Sequence, residues 1–131
     1  MNSITVNVPV NVKAKLTDKL RARLIQECVD VLSQLDLEMK QINITQDKEL
    51  QRVPDQEDEI RSFFGNEMNK REARRNEALR RKETLEKLAD GAEILQGTTN
   101  RQVELKIGDN LRDAMSVEIL VEDDKIVAIR G

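Results

Sequence analysis

The sequence predicts an α+β fold: a long antiparallel helical hairpin, coiled-coil-like, with a small antiparallel β-sheet or barrel built from both termini. Within the helical stretch, residues 17–90, apolar residues recur every three or four positions from Leu20 to Ile42, which is the spacing of one helix face, and the same spacing continues over 60–88 as a seam that is apolar at its ends. Pro54 interrupts this stretch once, near its middle. On both sides, at 3–13 and 93–131, apolar and polar residues alternate with the period of a strand. The 131 residues suit one domain that holds all these elements.

The first predicted element is an N-terminal strand over residues 3–13. Its apolar face is β-branched and consists of Ile4, Val6, Val8, Val10 and Val12. Pro9 lies on the polar face and has no amide proton to donate to a neighbouring strand. The proline therefore predicts a sheet edge or a bulge at this position.

The first helix is predicted over residues 17–52. Its apolar stripe runs from Leu20 to Ile42, with polar and charged residues filling most of the remaining positions. The hydroxyl of Thr17 suits the N-cap, where it can accept an amide proton of the first turn. Cys28 lies on the stripe and is interpreted as a small buried hydrophobe rather than as a nucleophile.

The second helix is predicted over residues 55–90, with Gly65 inside it and Gly91 as its left-handed C-cap. The seam of this helix is apolar at both ends and charged in the middle. Because one break separates two helices of similar length, we expect a hairpin. An unbroken rod is the alternative and would need a partner along its whole length. A two-helix section buries little per residue, so we also expect self-association.

The C-terminal segment, residues 93–131, alternates in short runs separated by turn residues. The predicted extended pieces are residues 93–96, 103–107, 117–122 and 125–130. Gly97–Asn100 is predicted to close the first piece. Asp123-Asp124 is a tight connection between the last two, and Asp124 there must tolerate a conformation that glycine prefers.

Six runs of the chain carry a resemblance to a known family: residues 12–17 (VKAKLT), 34–36 (QLD), 91–97 (GAEILQG), 103–111 (VELKIGDNL), 118–121 (EILV) and 126–130 (IVAIR). With these runs the chain resembles the YlqD family. The resemblance covers nearly the whole chain, and its C-terminal part is the more specific. The sequence departs from the pattern of the family at Asp124, where the family usually has glycine in an Asp-Gly turn. The resemblance implies the strand–hairpin–strand layout and brings no catalytic residues with it.

Composition argues against catalysis. The chain has no histidine, tyrosine or tryptophan, and its five glycines are too dispersed for a phosphate-binding loop. We therefore expect no enzyme activity, metal, cofactor or small-molecule substrate. The net charge of −3 and the lack of a long apolar run predict no membrane partner. With one cysteine and no secretory-signal pattern at the N-terminus, we expect a cytoplasmic location.

One segment, residues 70–82, carries a net charge of +5, whereas the rest of the chain carries −8. We call it the basic stripe. Its candidate nucleic-acid contacts are Lys70, Arg71, Arg74, Arg75, Arg81 and Lys82. Such a stripe can track phosphates. Alternatively, arginine stems could cover Val31 and Leu35 of the first helix while their heads pair with acids there, among them Asp36 and Glu38.

Three functions remain open. The first is a non-enzymatic interaction or scaffold protein that forms a homo-oligomer through its helical hairpin. The second is an RNA- or ribosome-associated factor that uses the basic stripe. The third is a prefoldin-like holdase, by analogy of fold. Phe63 and Phe64 are candidate partner contacts: being adjacent they point apart, so one can enter the seam while the other stays exposed.

Overall fold

The computed structural model describes all 131 residues, Met1–Gly131. Its strands and helices are β1 (Ser3–Lys15), α1 (Asp18–Arg52), a short 3-10 turn (Pro54–Gln56), α2 (Glu57–Lys87), β2 (Glu93–Lys106), α3 (Leu111–Met115), β3 (Glu118–Glu122) and β4 (Lys125–Arg130). Residues 1–21 and 88–131 form one compact unit, the sheet unit, and residues 22–87 form a second, the hairpin unit. The predicted α+β class is confirmed.

The sheet has four strands in the order β2-β1-β3-β4. β1 pairs with β2 antiparallel along its whole length, and β3 pairs with β4 antiparallel. β1 and β3 are parallel over Asn11–Ala14, so the prediction of an antiparallel sheet is wrong for this pair. The reason is the connection: β2 ends beside Ser3, and residues 107–117 carry the chain back along β1 before β3 begins opposite Asn11. The chain therefore enters β3 in the direction of β1.

β2 is a single strand of 14 residues, whereas two pieces separated by a turn at Gly97–Asn100 were predicted. Gly97 pairs with Val12 and Leu95 pairs with Lys13, so Gln96 is the extra residue of a β-bulge. The long partner β1 holds this turn-rich stretch extended, because pairing outweighs local preference. Pro9 pairs only with β2, since β3 does not reach it, and the predicted edge position is confirmed.

Alternate residues of β1, together with Leu16 directly after it, contribute to the core of the sheet unit. Val8, Val10, Ala14 and Leu16 are each at most 3% exposed. Ile4 continues the same face but is 54% exposed, because it lies at the open end of the β1–β2 ribbon. Of the predicted apolar face of the first strand, Val8 and Val10 are thus buried, whereas Val6 and Val12 are half-buried.

The start of α1 is fastened to the segment that follows α2. The Leu16 amide donates to the Ala92 carbonyl, and the Gly91 amide donates to the Leu16 carbonyl, both over 2.8 Å. The Arg21 guanidinium donates to the Leu88 carbonyl over 2.7 Å. Backbone pairing thus joins residues far apart in sequence.

Two predicted helix ends can be compared with the structure. The Leu20 amide donates to the Thr17 hydroxyl oxygen over 3.1 Å, which confirms the N-cap. α2 ends at Lys87 rather than at residue 90, so Gly91 is not its immediate cap. Gly91 instead lies in the following turn, where its φ is +82°.

α1 and α2 run antiparallel, as a hairpin rather than a rod. Asp36 of α1 contacts Arg75 of α2, whereas Glu38 contacts Arg71, so the residue number rises along one helix as it falls along the other. Val53 has φ −134° before Pro54, where the chain reverses. α2 is continuous through Gly65, as predicted.

Candidate interaction surfaces of the helical hairpin

Two arginines of the basic stripe, Arg71 and Arg75, turn toward α1. Arg75 Nε lies 3.2 Å from Asp36 Oδ1, and Arg71 Nε lies 3.7 Å from Glu38 Oε2. Both arginines are half-buried. These two residues therefore form the internal pairs that the sequence allowed as an alternative to nucleic-acid contact.

The Arg71–Glu38 pair is an ion pair without a hydrogen bond. Arg71 directs its Nη1 to the carboxylate and carbonyl of Glu67, one turn earlier on the same helix. Arg71 Nε and Glu38 Oε2 are buried and make no hydrogen bond. The guanidinium of Arg71, with Lys70, lowers the pKa of Glu67. The hairpin thus has a charged layer in its interior, and such layers favour one register at the expense of stability.

Both lysines of the basic stripe pair within α2. Lys70 Nζ lies 3.3 Å from Glu67, and Lys82 Nζ lies 2.7 Å from Glu86. The Glu86 carboxylate raises the pKa of Lys82. Exposed pairs of this kind stabilise a helix only slightly, so these lysines stay available to exchange partners.

Arg74, Arg80 and Arg81 form the unpaired part of the basic stripe. All three are exposed and form no ion pair. Arg74 and Arg81 line a groove between the two helices, whereas Arg80 does not. The basic stripe therefore contains two arginines that pair with α1, two lysines that pair within α2 and three arginines that face solvent.

The groove between the helices has an apolar floor and charged walls, and we call it the hairpin groove. It measures about 300 Å³ and is lined by Glu27, Cys28 and Val31 of α1 and by Arg74, Glu77, Ala78 and Arg81 of α2. Cys28 is 4% exposed, in agreement with the prediction of a buried hydrophobe. Val31 is 42% exposed, so the covering of this residue by arginine stems did not hold. Leu35 is buried, at 1% exposure.

The two phenylalanines lie near the turn of the hairpin. Phe64 is half-buried and Phe63 is 59% exposed, as predicted for one ring entering the seam. The rings nevertheless contact each other edge to face, with centroids 5.1 Å apart, so they do not point fully apart. Because Ile60 is also half-buried, Phe63 is the main apolar surface that a holdase could use here.

The sheet unit carries an ionic network that sequence reasoning missed. It takes one residue from each strand: Lys13 (β1), Glu93 (β2), Glu118 (β3) and Arg130 (β4). Lys13 lies 3.0 Å from Glu118, and Arg130 reaches Glu118 at 2.6 Å and Glu93 at 2.5 Å. Arg130 lowers the pKa of Glu93; Lys13, with Arg130, lowers that of Glu118. The local pattern held no signal for this network, since its members are brought together only by strand pairing.

α3 was also missed. It has five residues, too few for a periodic apolar pattern. The signal that could have revealed it is Asn110, whose side-chain oxygen accepts from the Asp113 amide over 3.2 Å in an N-cap.

Two further structural tests concern function. No group of three metal-ligating side chains comes together in the fold. No helix is long and apolar enough to cross a bilayer.

The fold and surfaces define an α+β protein with a mixed four-stranded sheet drawn from both termini and a two-helix hairpin inserted between its strands in sequence. The chain belongs to the YlqD family: the model of that family, described as YlqD protein, matches residues 4–130. The fold is similar to a crystal structure of a protein of unknown function from Synechococcus sp. WH 8102, with a TM-score of 0.90. The two are 22% identical, and the match covers 98% of this chain and 97% of that one. At this identity the likeness shows the fold alone. No curated protein matches the chain.

Proposed function

We propose that the protein is a non-enzymatic interaction or scaffold protein that associates with itself through its helical hairpin. One observation carries the proposal: the hairpin unit exposes four large apolar side chains and buries only three. The exposed ones are Val31, Leu37, Ile44 and Phe63; the buried ones are Leu24, Leu35 and Leu85, and the smaller Cys28 is buried as well. Two packed helices cover one stripe each and leave the flanks in water, and exposed apolar surface favours association.

The composition of the hairpin groove suits docking better than catalysis. Its charged groups are carboxylates and guanidinium groups at the walls of an open groove, which can pair with a partner. General acid–base work would need a closed cleft that holds a substrate against a titrating group. The proposal also includes a cytoplasmic location, which a single buried cysteine suits.

The solution mass tests this proposal. Sedimentation velocity at several micromolar concentrations should give a mass that is a multiple of that of one chain, and the fraction of the larger species should rise with concentration. A monomer at every concentration would refute self-association.

A second candidate function is contact with RNA or the ribosome through the basic stripe. Its support is the set of exposed, unpaired arginines Arg74, Arg80 and Arg81. If it is correct, labelled RNA should bind with an affinity that falls steeply as salt rises, and Arg80→Glu with Arg81→Glu should abolish binding. Arg61→Glu, on the same helix but outside the stripe, should leave binding unchanged. Absence of binding at low salt would remove this candidate.

A further inference from the structure

The side of α1 that faces α2 is marked by Leu35. Asp36 and Glu38 lie on either side of Leu35 around the helix, at about +100° and −60°. Both of these acids pair with arginines of α2, and Leu35 between them is 1% exposed. The opposite side of α1 therefore points away from α2.

That opposite side carries two exposed apolar residues. Leu37 and Ile44 lie about 200° and 180° around the helix from Leu35. Leu37 is 63% exposed and Ile44 is 49% exposed. We call the strip of α1 that runs through these two residues, from Asp30 to Lys48, the outer face of α1.

Two charges of opposite sign lie at the ends of the outer face, on the same edge of it. Asp30 and Lys48 are 18 residues apart, which is about five turns, so one lies directly above the other along the helix. Both are exposed, and neither forms an ion pair within the chain. Asp30 accepts a hydrogen bond from the side chain of Gln26 over 2.9 Å. Both charges are therefore available to a partner.

We propose that the outer face of α1 is the interface of a dimer of two copies of this chain, packed antiparallel about a two-fold axis perpendicular to α1. This inference rests on the proposed self-association and names its surface. The axis lies in the interface between the two copies of α1. It reverses the direction along the helix and keeps each edge of the face on its own side. Where Leu37 of one copy lies opposite Ile44 of the other, the same apolar contact forms twice, and residues 29–52 of the two copies overlap.

The same rotation brings Asp30 of one copy beside Lys48 of the other. In this register Asp30 lies opposite residue 51, so its offset from Lys48 along the helix is three residues, or about 4.5 Å. The flexible four-carbon stem of lysine spans this offset. Because both charges lie on the same edge, the pair forms twice. This charge complementarity favours a second copy as the occupant, since the copy presents the opposite charge at each end of the apolar pair.

One contact of this dimer is unfavourable. Lys40 lies between Leu37 and Ile44 on the other edge of the outer face, where it is exposed and forms no ion pair. The axis passes between residues 40 and 41, so the two copies of Lys40 approach each other, and like charges oppose association. Removal of the charge of Lys40 should therefore strengthen the dimer, an effect that damage to the fold would not produce.

Charge reversal tests the interface, with the dimer dissociation constant measured by sedimentation equilibrium. Asp30→Lys or Lys48→Glu alone places like charges beside each other twice, so the dissociation constant should rise about tenfold or more. The double variant should regain the affinity of the wild type. An equimolar mixture of the two single variants should form a heterodimer, because both cross pairs are then of opposite sign. Lys40→Gln should lower the dissociation constant by about threefold or more.

Matched variants control this experiment. Leu37→Gln keeps a good helix former but removes the apolar contact, and it should raise the dissociation constant about tenfold. Phe63→Gln removes an exposed apolar residue near the turn of the hairpin and should leave the constant unchanged. Glu72→Lys and Arg80→Glu reverse exposed charges of α2 and should also have no effect. Circular dichroism should show wild-type helicity for every variant, since all of these side chains are exposed.

Three results would overturn the inference, and they differ in what they leave standing. A wild-type monomer would remove both this dimer and the proposed function. A wild-type dimer that is insensitive to the charge reversals and to Leu37→Gln would leave self-association in place but exclude the outer face of α1. A dimer that is weakened by Lys40→Gln would exclude the antiparallel register.

Discussion

Asp123 and Asp124 connect β3 to β4 with φ values of +46° and +68°, a left-handed conformation that L-residues seldom adopt. Two-residue hairpin turns of this type favour glycine at the second position because it lacks a Cβ atom. The chain has aspartate there, which tolerates the conformation better than most residues do but remains strained.

We therefore predict that Asp124→Gly stabilises the protein, by up to about 1 kcal/mol. Urea denaturation at fixed protein concentration measures the change. Asp47→Gly is the matched control: this exposed residue lies inside α1, in its last two turns, where glycine should reduce the stability by about 0.5 kcal/mol. A loss of stability in both variants would contradict the account of the turn.

The four-strand ionic network makes stability depend on pH. The pKa values of Glu93 and Glu118 in the folded protein lie below the ordinary value of 4.5. As the pH falls, the unfolded chain therefore binds protons first, and protons favour unfolding. The stabilisation is present above about pH 4.5 and is lost as the pH falls through the folded pKa values.

We predict that Arg130→Met makes the loss of stability below about pH 5 less steep, because Glu93 then loses its cation. Thermal midpoints measured between about pH 3 and pH 7 test this. Glu118 keeps Lys13 and Glu67 keeps its partners in α2, so the dependence should be reduced and not abolished. Arg112→Met, which removes an exposed arginine outside the network, should retain the slope of the wild type.

At the scale of the elements, α2 contributes much less to the core than α1. Leu85 is its single buried residue, and the middle of its inward face carries Arg71 and Arg75, which pair with Glu38 and Asp36 of α1. In the middle of the hairpin, ion pairs rather than apolar packing therefore hold the two helices together. Their association there depends on each charged side chain keeping its partner.

This leads to a prediction for the Arg71–Glu38 layer. Arg71→Leu alone should reduce the free energy of unfolding by about 1–3 kcal/mol, because it leaves the carboxylate of Glu38 partly buried without a cation. Glu38→Leu with Arg71→Leu should recover the stability of the wild type or exceed it, since apolar side chains would fill the same layer. A double-mutant cycle by thermal unfolding measures the coupling. Strictly additive losses would show that the pair does not interact.

At the scale of the whole molecule, folding and association should be linked. If the native chain is a dimer, dissociation precedes unfolding, and mass action stabilises the native state as concentration rises. We predict that the thermal midpoint of the wild type rises with protein concentration. Differential scanning calorimetry across a wide concentration range tests this. Equal thermal midpoints at all concentrations would show that the exposed apolar side chains of the hairpin unit do not form an interface in the native protein.

Much of the fold could be predicted because its signals are local. The three- and four-residue spacing, Pro54 and the alternation of the first strand are each contained in a short window, and they predicted the helices, the break and β1 within a few residues. Asp123-Asp124 stands between two alternating runs, and this position likewise predicted that Asp124 adopts an unusual backbone conformation. For the site, the basic stripe and the division of roles between Phe63 and Phe64 were predictable for the same reason.

The sequence by itself therefore determined the order and type of the main elements, because periodicity reports which face of an element avoids water. Only the tertiary structure decided that β2 is continuous through Gly97, that β1 and β3 are parallel, and which arginines of the basic stripe find partners. Each of these depends on residues that are far apart in the chain and meet only when strands pair or helices fold back. The hairpin groove belongs to this second class: its lining residues come from both α1 and α2 and meet only through the register between these helices, which no single segment contains.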